Sequence, residues 1–263
     1  MDLFDTHCHL TDLYQDPAEY RHAVEEAHRS GVKALIIIGT GIDDLKKALA
    51  LSDELDGTLI ARTAGGLSPY DVKNADQKDI DILSGMLAAD PRAAAVGEIG
   101  LDRHHCYSEE SVEELFLERQ LDLAARLGLP AVIHCRKAHS RMRHILKRYS
   151  PGLDRKGVIH CFSGTYGDAA DYMDMGFRLS FTCALGYRNS TEQRETVEKM
   201  PLGSILAETD SPYLPPQSMR GKRNQPANVR EVIRLIAEIK GLKEENVADT
   251  VFINSCMLFG IEQ

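Results

Sequence analysis

At 263 residues, with 43% hydrophobic and 27% charged positions, the chain has the make-up of a globular protein that can bury a sizeable core. Its formal net charge of −9 excludes a protein that grips nucleic acid through an overall positive field, while leaving room for local basic patches and bound cations. The longest purely apolar run, residues 34–38, is too short for a membrane span, and the start Met1-Asp2-Leu3-Phe4-Asp5 lacks the basic and apolar regions of a signal peptide, so a cytoplasmic protein without membrane contact is expected.

Eight apolar, strand-like runs recur along the chain, at residues 3–9, 34–40, 59–65, 94–101, 131–135, 157–162, 177–182 and 205–210. Between them lie amphipathic stretches with helical spacing, at residues 17–30, 43–55, 79–89, 112–127, 138–149, 168–175 and 192–200. Pro17 and Asp43 suit helix starts, and Gly31, Gly128 and Gly176 fall where a helix should stop. Strands alternating with helices over short connections imply parallel βαβ units, and eight such units predict an α/β fold of the TIM-like (β/α)8 barrel type. A doubly wound open sheet is the alternative, but no GxGxxG follows the first run. Residues 229–240 and 243–259 read as two further helices closing the outer ring. With no linker or low-complexity segment, one domain over residues 1–263 is expected.

The first run carries His7 and His9 at i and i+2. On a strand these project to one side and Cys8 to the other, which suits two imidazoles sharing a metal ion. In such barrels the chemistry sits at the C-terminal ends of the strands. The fourth run ends at Gly97-Glu98-Ile99-Gly100, the fifth at His134, the sixth at His160 and the eighth at Asp210. His7, His9, Glu98, His134, His160 and Asp210 would therefore converge on one rim. Six ligands exceed the four of a tetrahedral ion, so two divalent ions bridged by Glu98 are expected, with His7, His9 and Asp210 on one side and His134 and His160 on the other. Zn²⁺, Mg²⁺ and Mn²⁺ all remain open, because imidazoles favour the first and carboxylates the others. Cys8, Cys135 and Cys161 each follow one of these histidines and are read as buried thiols turned away from the site. His104 and His105 are expected on the surface.

Residues 136–148 hold six Lys and Arg and no acid, beginning at the predicted rim. Arg136, Arg220 and Arg223 could hold phosphates bidentately, whereas residues 141–148 read as a solvated helix face.

The motifs Asp5-Thr6-His7-Cys8-His9, Gly97-Glu98-Ile99-Gly100-Leu101-Asp102, Leu129 to Arg136, His160-Cys161-Phe162-Ser163-Gly164, Glu208-Thr209-Asp210-Ser211-Pro212 and Arg220-Gly221-Lys222-Arg223-Asn224 together resemble the TatD-type metal-dependent deoxyribonucleases of the amidohydrolase superfamily. The resemblance covers essentially the whole chain. It implies a two-metal centre, bridging by Glu98, Asp210 as both ligand and proton acceptor for the attacking water, and removal of nucleotides from the 3′ ends of DNA, single-stranded ends being the expected substrate of a monomeric enzyme. Asn224, in the last of these motifs, joins Arg136, Arg220 and Arg223 as an expected substrate contact. The chain departs from the family pattern at Gly66-Leu67-Ser68-Pro69, where Ser68 stands in place of an active-site histidine and becomes a candidate substrate contact, and at Gln225, where a glutamate is usual. Two other functions stay open on the same residues: hydrolysis of a small amide, ester or lactone, and a non-catalytic barrel that only binds.

Overall fold

The computed structural model describes residues 1–13, 16–55 and 57–262. Its strands are β1 (Leu3–Cys8), β2 (Val32–Thr40), β3 (Ile60–Gly66), β4 (Ala93–Asp102), β5 (Ala131–Arg136), β6 (Gly157–Ile159), β7 (Arg178–Phe181) and β8 (Ile205–Ala207). They pair in sequence order and all in parallel. Past β8 the chain returns to β1: Asp210 N donates to His7 O at 2.9 Å, His9 N donates to Ser211 O at 2.7 Å, and Cys8 bridges Ser211. The sheet thus curls into a TIM-like barrel, and the open-sheet alternative falls.

Two layers of apolar packing follow from strand alternation. Phe4, Ile36, Ile38, Ala64, Val132, Val158 and Leu206 form an inner cluster, closed at the N-terminal end by Phe259 and Ile261 at the end of the last helix. Leu35, Ile37, Ile99, Ile133 and Leu179 point the other way and pack beneath the surrounding helices. Both faces of the sheet are covered, which is why the strands read as continuous apolar runs.

The helices match the expected stretches with shifted starts. Asp79 and Asp168, taken as first residues, are instead the third residues of helices Gln77–Ala89 and Tyr166–Asp174, where their carboxylates complete capping boxes with Asp76 and Thr165. Helix Pro17–Arg29 is capped by Asp16, whose side chain accepts from Ala18 N at 2.9 Å. A short helix, Leu10–Leu13, follows β1 and was not legible in the pattern. Among the described residues no helix is long and apolar enough to cross a membrane.

Strands β6 and β8 stop sooner than their apolar runs. Beyond their ends Cys161 and Asp210 adopt positive φ, 45° and 54°.

Candidate metal centre

The strands that carry the N-terminal histidines and the glutamate are both irregular where they do so. Between Asp5 and Cys8 the register of β1 against β2 slips, so the residues beyond the slip are re-aimed. His7 and His9 share one side and Cys8 packs in the outer layer, in line with the alternation expected from sequence. β4 slips against β5 between Val96 and Ile99, and here lies Glu98. Glu98 therefore sits within a ten-residue strand and not at its end, which corrects the placement read from the sequence. Its glycine neighbours let β5 approach: a Cβ on Gly100 would lie 1.9 Å from the His134 carbonyl oxygen, and one on Gly97 2.5 Å from Val132 Cβ. His134 is on β5, and His160 and Asp210 stand in the segments just beyond β6 and β8.

These six side chains meet around the Glu98 carboxylate. Its Oε1 is 2.6 Å from His134 Nδ1 and 3.1 Å from His160 Nε2. Its Oε2 is 3.6 Å from His7 Nε2 and 3.9 Å from His9 Nε2. Asp210 Oδ1 joins the second half, 3.6 Å from His7 Nε2 and 3.4 Å from His9 Nε2. Within each half the two imidazole nitrogens face one another at 3.2 Å. The edge of a tetrahedron with Zn–N bonds of about 2.0–2.1 Å is about 3.3–3.4 Å, so each pair is spaced as two ligands of one ion. The donor set fits divalent metal: His7, His9 and Glu98 form one group able to hold an ion, and Glu98, His134 and His160 form another.

The charges of the cluster balance internally. Burial would raise the Glu98 carboxyl, but His160, His134 and His7 outweigh it and hold it well below the usual range. Burial acts likewise on Asp210 and is overcome by the hydrogen bond from His9 and the charges of His7 and His9, so this group too is held down. Burial and the neighbouring His160 push His7 down, whereas for His9, His134 and His160 burial acts in the same sense but is outweighed by the neighbouring carboxylates, which push these three up.

Outside the six lies a layer that sequence reasoning missed. Asp102 Oδ2 accepts from His134 Nε2 at 3.1 Å, leaving Nδ1 to face Glu98. The same oxygen accepts from Tyr70 OH at 3.1 Å and lies 3.0 Å from His105 Nδ1. Glu208 Oε1 is 3.5 Å from His160 Nδ1, and its carboxylate is fixed by Cys161 N and Ser180 Oγ, each at 2.6 Å. Carboxylates behind histidines are the usual means of setting a ligand's tautomer and angle. Asp102 and Glu208 were visible in the quoted motifs, but nothing in the pattern separated them from surface acids.

The cluster opens into a cleft of about 890 Å³ with Tyr70, His105, Tyr107, Arg136 and Tyr213 at its mouth. Arg136 is thus on the cleft. Arg220 lies 4.8 Å over the Tyr187 ring, beside the same opening. Arg223 is turned aside, bound to Glu19 at 2.8 Å and to the Asp12 carbonyl at 2.9 Å. Asn224 is buried and ties the loop after β8 together through the Thr209 and Leu214 carbonyls. Ser68 is also fully buried, its hydroxyl donating to Asp71 Oδ2 at 2.5 Å, and it is not among the residues lining the cleft. Asn224 and Ser68 are buried with their side chains engaged by the protein, which argues against the expected substrate contacts there, whereas Arg223 is about half exposed in a surface ion pair. Cys161, part-exposed, and Cys135, buried, both line the cleft, against the expectation that they turn away from the site, whereas Cys8 is buried and does not line it. His104 and His105 are both exposed, as expected, and His105 also sits at the rim against Asp102.

The basic helix face behaves as a solvated surface with partners. Arg141 pairs with Glu114 at 2.6 Å, Arg143 with Asp168 and Asp171, and Arg148 with Glu118.

Comparison with known proteins adds three findings. The model of the family described as TatD related DNase matches residues 4–260. The chain is 32% identical to the uncharacterized metal-dependent hydrolase YabD of Bacillus subtilis, over 98% of this chain and 99% of that one, and 31% identical to the 3′-5′ ssDNA/RNA exonuclease TatD of Pantoea vagans, again over 98% and 99%. Its fold is similar to the crystal structure of YjjV, a TatD homolog from Escherichia coli, with a TM-score of 0.88 at 27% identity over 99% of this chain and 98% of that one.

Proposed function

The chain belongs to the TatD-related DNase family, and on that premise we propose that it is a metal-dependent nuclease that removes nucleotides from the 3′ ends of single-stranded DNA. The observation that carries this reading is the division of Glu98, with Oε1 turned to His134 and His160 and Oε2 to His7 and His9. A carboxylate shared in this way suits two ions, each with its own pair of imidazoles, and Asp210 completes the second set. The alternative of a non-catalytic barrel has no comparable use for six converging donors.

Two divalent cations held by His7, His9, Glu98, His134, His160 and Asp210 would supply positive charge for the phosphoryl oxygens and lower the pKa of a nucleophilic water. The chain's own residues do the rest. Asp210, held down by the hydrogen bond from His9 and the neighbouring histidines against its burial, would take the water's proton and pass it to the departing 3′ oxygen. His134 and His160 are held in angle by Asp102 and Glu208, which fixes where a phosphate can sit. Arg136 at the rim offers a guanidinium to the next phosphate of the strand. All six cysteines are free thiols, as in a protein kept in a reducing compartment.

The test is a 5′-labelled single-stranded oligonucleotide incubated with the full chain and Mg²⁺, Mn²⁺ or Zn²⁺ in turn. Stepwise shortening from the 3′ end is expected, with loss of activity in Glu98→Ala and Asp210→Ala. Unchanged activity in those variants, or no shortening with any of the metals, would overturn the reading.

A further inference from the structure

The cleft has one wall whose composition the metal centre does not explain. Tyr70 and Tyr107 stand at the mouth as residues 40% and 50% exposed, their rings 4.8 Å apart between centroids and at 71° to one another. His105 stacks on Tyr107 at 5.3 Å and 29°. Tyr70 in turn meets the ring of His134 edge-on at 5.8 Å. The wall therefore begins at a predicted metal ligand and runs outward to solvent.

Large aromatic faces left in water are unfavourable unless something covers them in use. Here they are also held in place. Asp102 fixes Tyr70 through its hydroxyl and His105 through Nδ1, and takes the backbone N–H groups of His104 and His105 at 2.8 and 2.9 Å. Ser108 Oγ donates to the Pro69 carbonyl at 3.3 Å, joining the loop that carries Tyr107 to the loop that carries Tyr70. One carboxylate thus positions both the aromatic wall and His134, so the two keep a fixed spacing.

Resting on the nuclease reading above, we propose that Tyr107 and Tyr70, backed by His105, are a stacking subsite for an unpaired nucleobase of the nucleotide whose phosphate lies at the metal centre. Stacking on a π-face is available to every base, so the subsite accepts any sequence. It does require a base with a free face, which a base inside a duplex lacks. The wall would in this way select single-stranded ends through the base, while the metal centre recognises only phosphate.

Tyr107 is the residue to test, because it touches none of the metal ligands and makes no hydrogen bond to Asp102. The full chain, loaded with Mg²⁺, is titrated with fluorescently labelled single-stranded oligonucleotides whose terminal linkages are phosphorothioates that resist cleavage. One oligonucleotide carries bases at its last three positions and the other is abasic there. Tyr107→Ala is expected to weaken binding of the first by roughly 5- to 150-fold, the range of base–aromatic stacking, with no change for the second. Tyr107→Phe, which keeps the ring, should bind both as the parent does. Equal weakening for the two oligonucleotides, no weakening, or no binding of either overturns the proposal. The nuclease reading stands or falls separately, on the shortening of an oligonucleotide with ordinary linkages by the unmodified chain.

Discussion

His134 presents Nε2 to Asp102 at 3.1 Å and Nδ1 to Glu98 at 2.6 Å, so a single ring is held between an outer carboxylate and the centre of the site. Both oxygens of Asp102 act only as acceptors, Oδ1 for the His104 and His105 amides and Oδ2 for His134 and Tyr70. Asparagine has one acceptor and one donor and must abandon one of these sets. Asp102→Asn is expected to reduce metal affinity about 10- to 100-fold, the usual cost of losing such a partner, as measured by competition with a chelating dye. Burial would raise the Asp102 carboxyl, but its histidine and amide donors outweigh that and hold it below the ordinary value. An acid whose folded pKa is depressed stabilises the fold above its unfolded pKa of about 4, and this contribution is lost as the pH falls below it. The acid limb of the stability curve should accordingly be shallower in the variant. An affinity equal to that of the parent would show that His134 needs no such support.

Asp5 closes the barrel from the other side. Its Oδ1 accepts from Thr209 N at 2.8 Å and its Oδ2 from Thr209 Oγ1 at 2.6 Å, across 204 positions of sequence and next to Asp210. Asp5→Ala leaves the buried Thr209 N–H without an acceptor and the Thr209 hydroxyl with Ser211 Oγ alone, and should destabilise the protein by about 1–3 kcal/mol in urea unfolding. Asp5→Asn should cost less, since one acceptor remains and the Thr209 hydroxyl also reaches Ser211 Oγ at 3.0 Å. Equal stability of the alanine variant and the parent would mean that the seam between β1 and the segment after β8 is held by its backbone bonds alone.

Arg136 and Arg148 belong to the same basic stretch but face different surroundings. Arg136 lines the cleft, whereas Arg148 is paired with Glu118 on the neighbouring helix. Arg136→Ala should weaken binding of single-stranded DNA and lower the salt dependence, the slope of log K against log salt falling by about 0.7. Arg148→Ala should change neither. The assay is binding at a series of salt concentrations, and matching slopes for the two variants would count against the assigned path of the strand.

Metal should also stabilise the fold itself. A ligand present at 100 times its Kd and bound only by the folded state adds about 2.7 kcal/mol, roughly 5–10 °C in Tm for a chain of this size. Addition of Mn²⁺ to chelator-treated protein should raise Tm by that order, and Glu98→Ala should cut the response sharply, because Glu98 belongs to two of the three groups able to hold an ion, leaving only His7, His160 and Asp210. Calorimetry with and without metal reads this directly, and a variant that responds as fully as the parent would argue against Glu98 as the bridge.

The sequence by itself determined the architecture and the identity of the six converging residues, because both are written in local rules. Apolar runs separated by helical spacing specify parallel βαβ units, and such units have one main closed solution at eight repeats. Ligands placed after apolar runs announce themselves because a polar residue there needs a reason. Tertiary structure alone decided how those residues meet. The register slips in β1 and β4 that aim His7 and Glu98 arise from pairing with neighbouring strands, and only Gly97 hinted at one of them. The supporting carboxylates Asp102 and Glu208 look like any other acids in one dimension, since their role lies in contacts with His134 and His160 from other strands. Ser68 and Asn224 read from the sequence as available for substrate, but in the fold both are buried and bonded to Asp71 and Thr209. Partners distant in the chain decide whether a polar side chain serves the fold or the site, and only the packed structure brings those partners together.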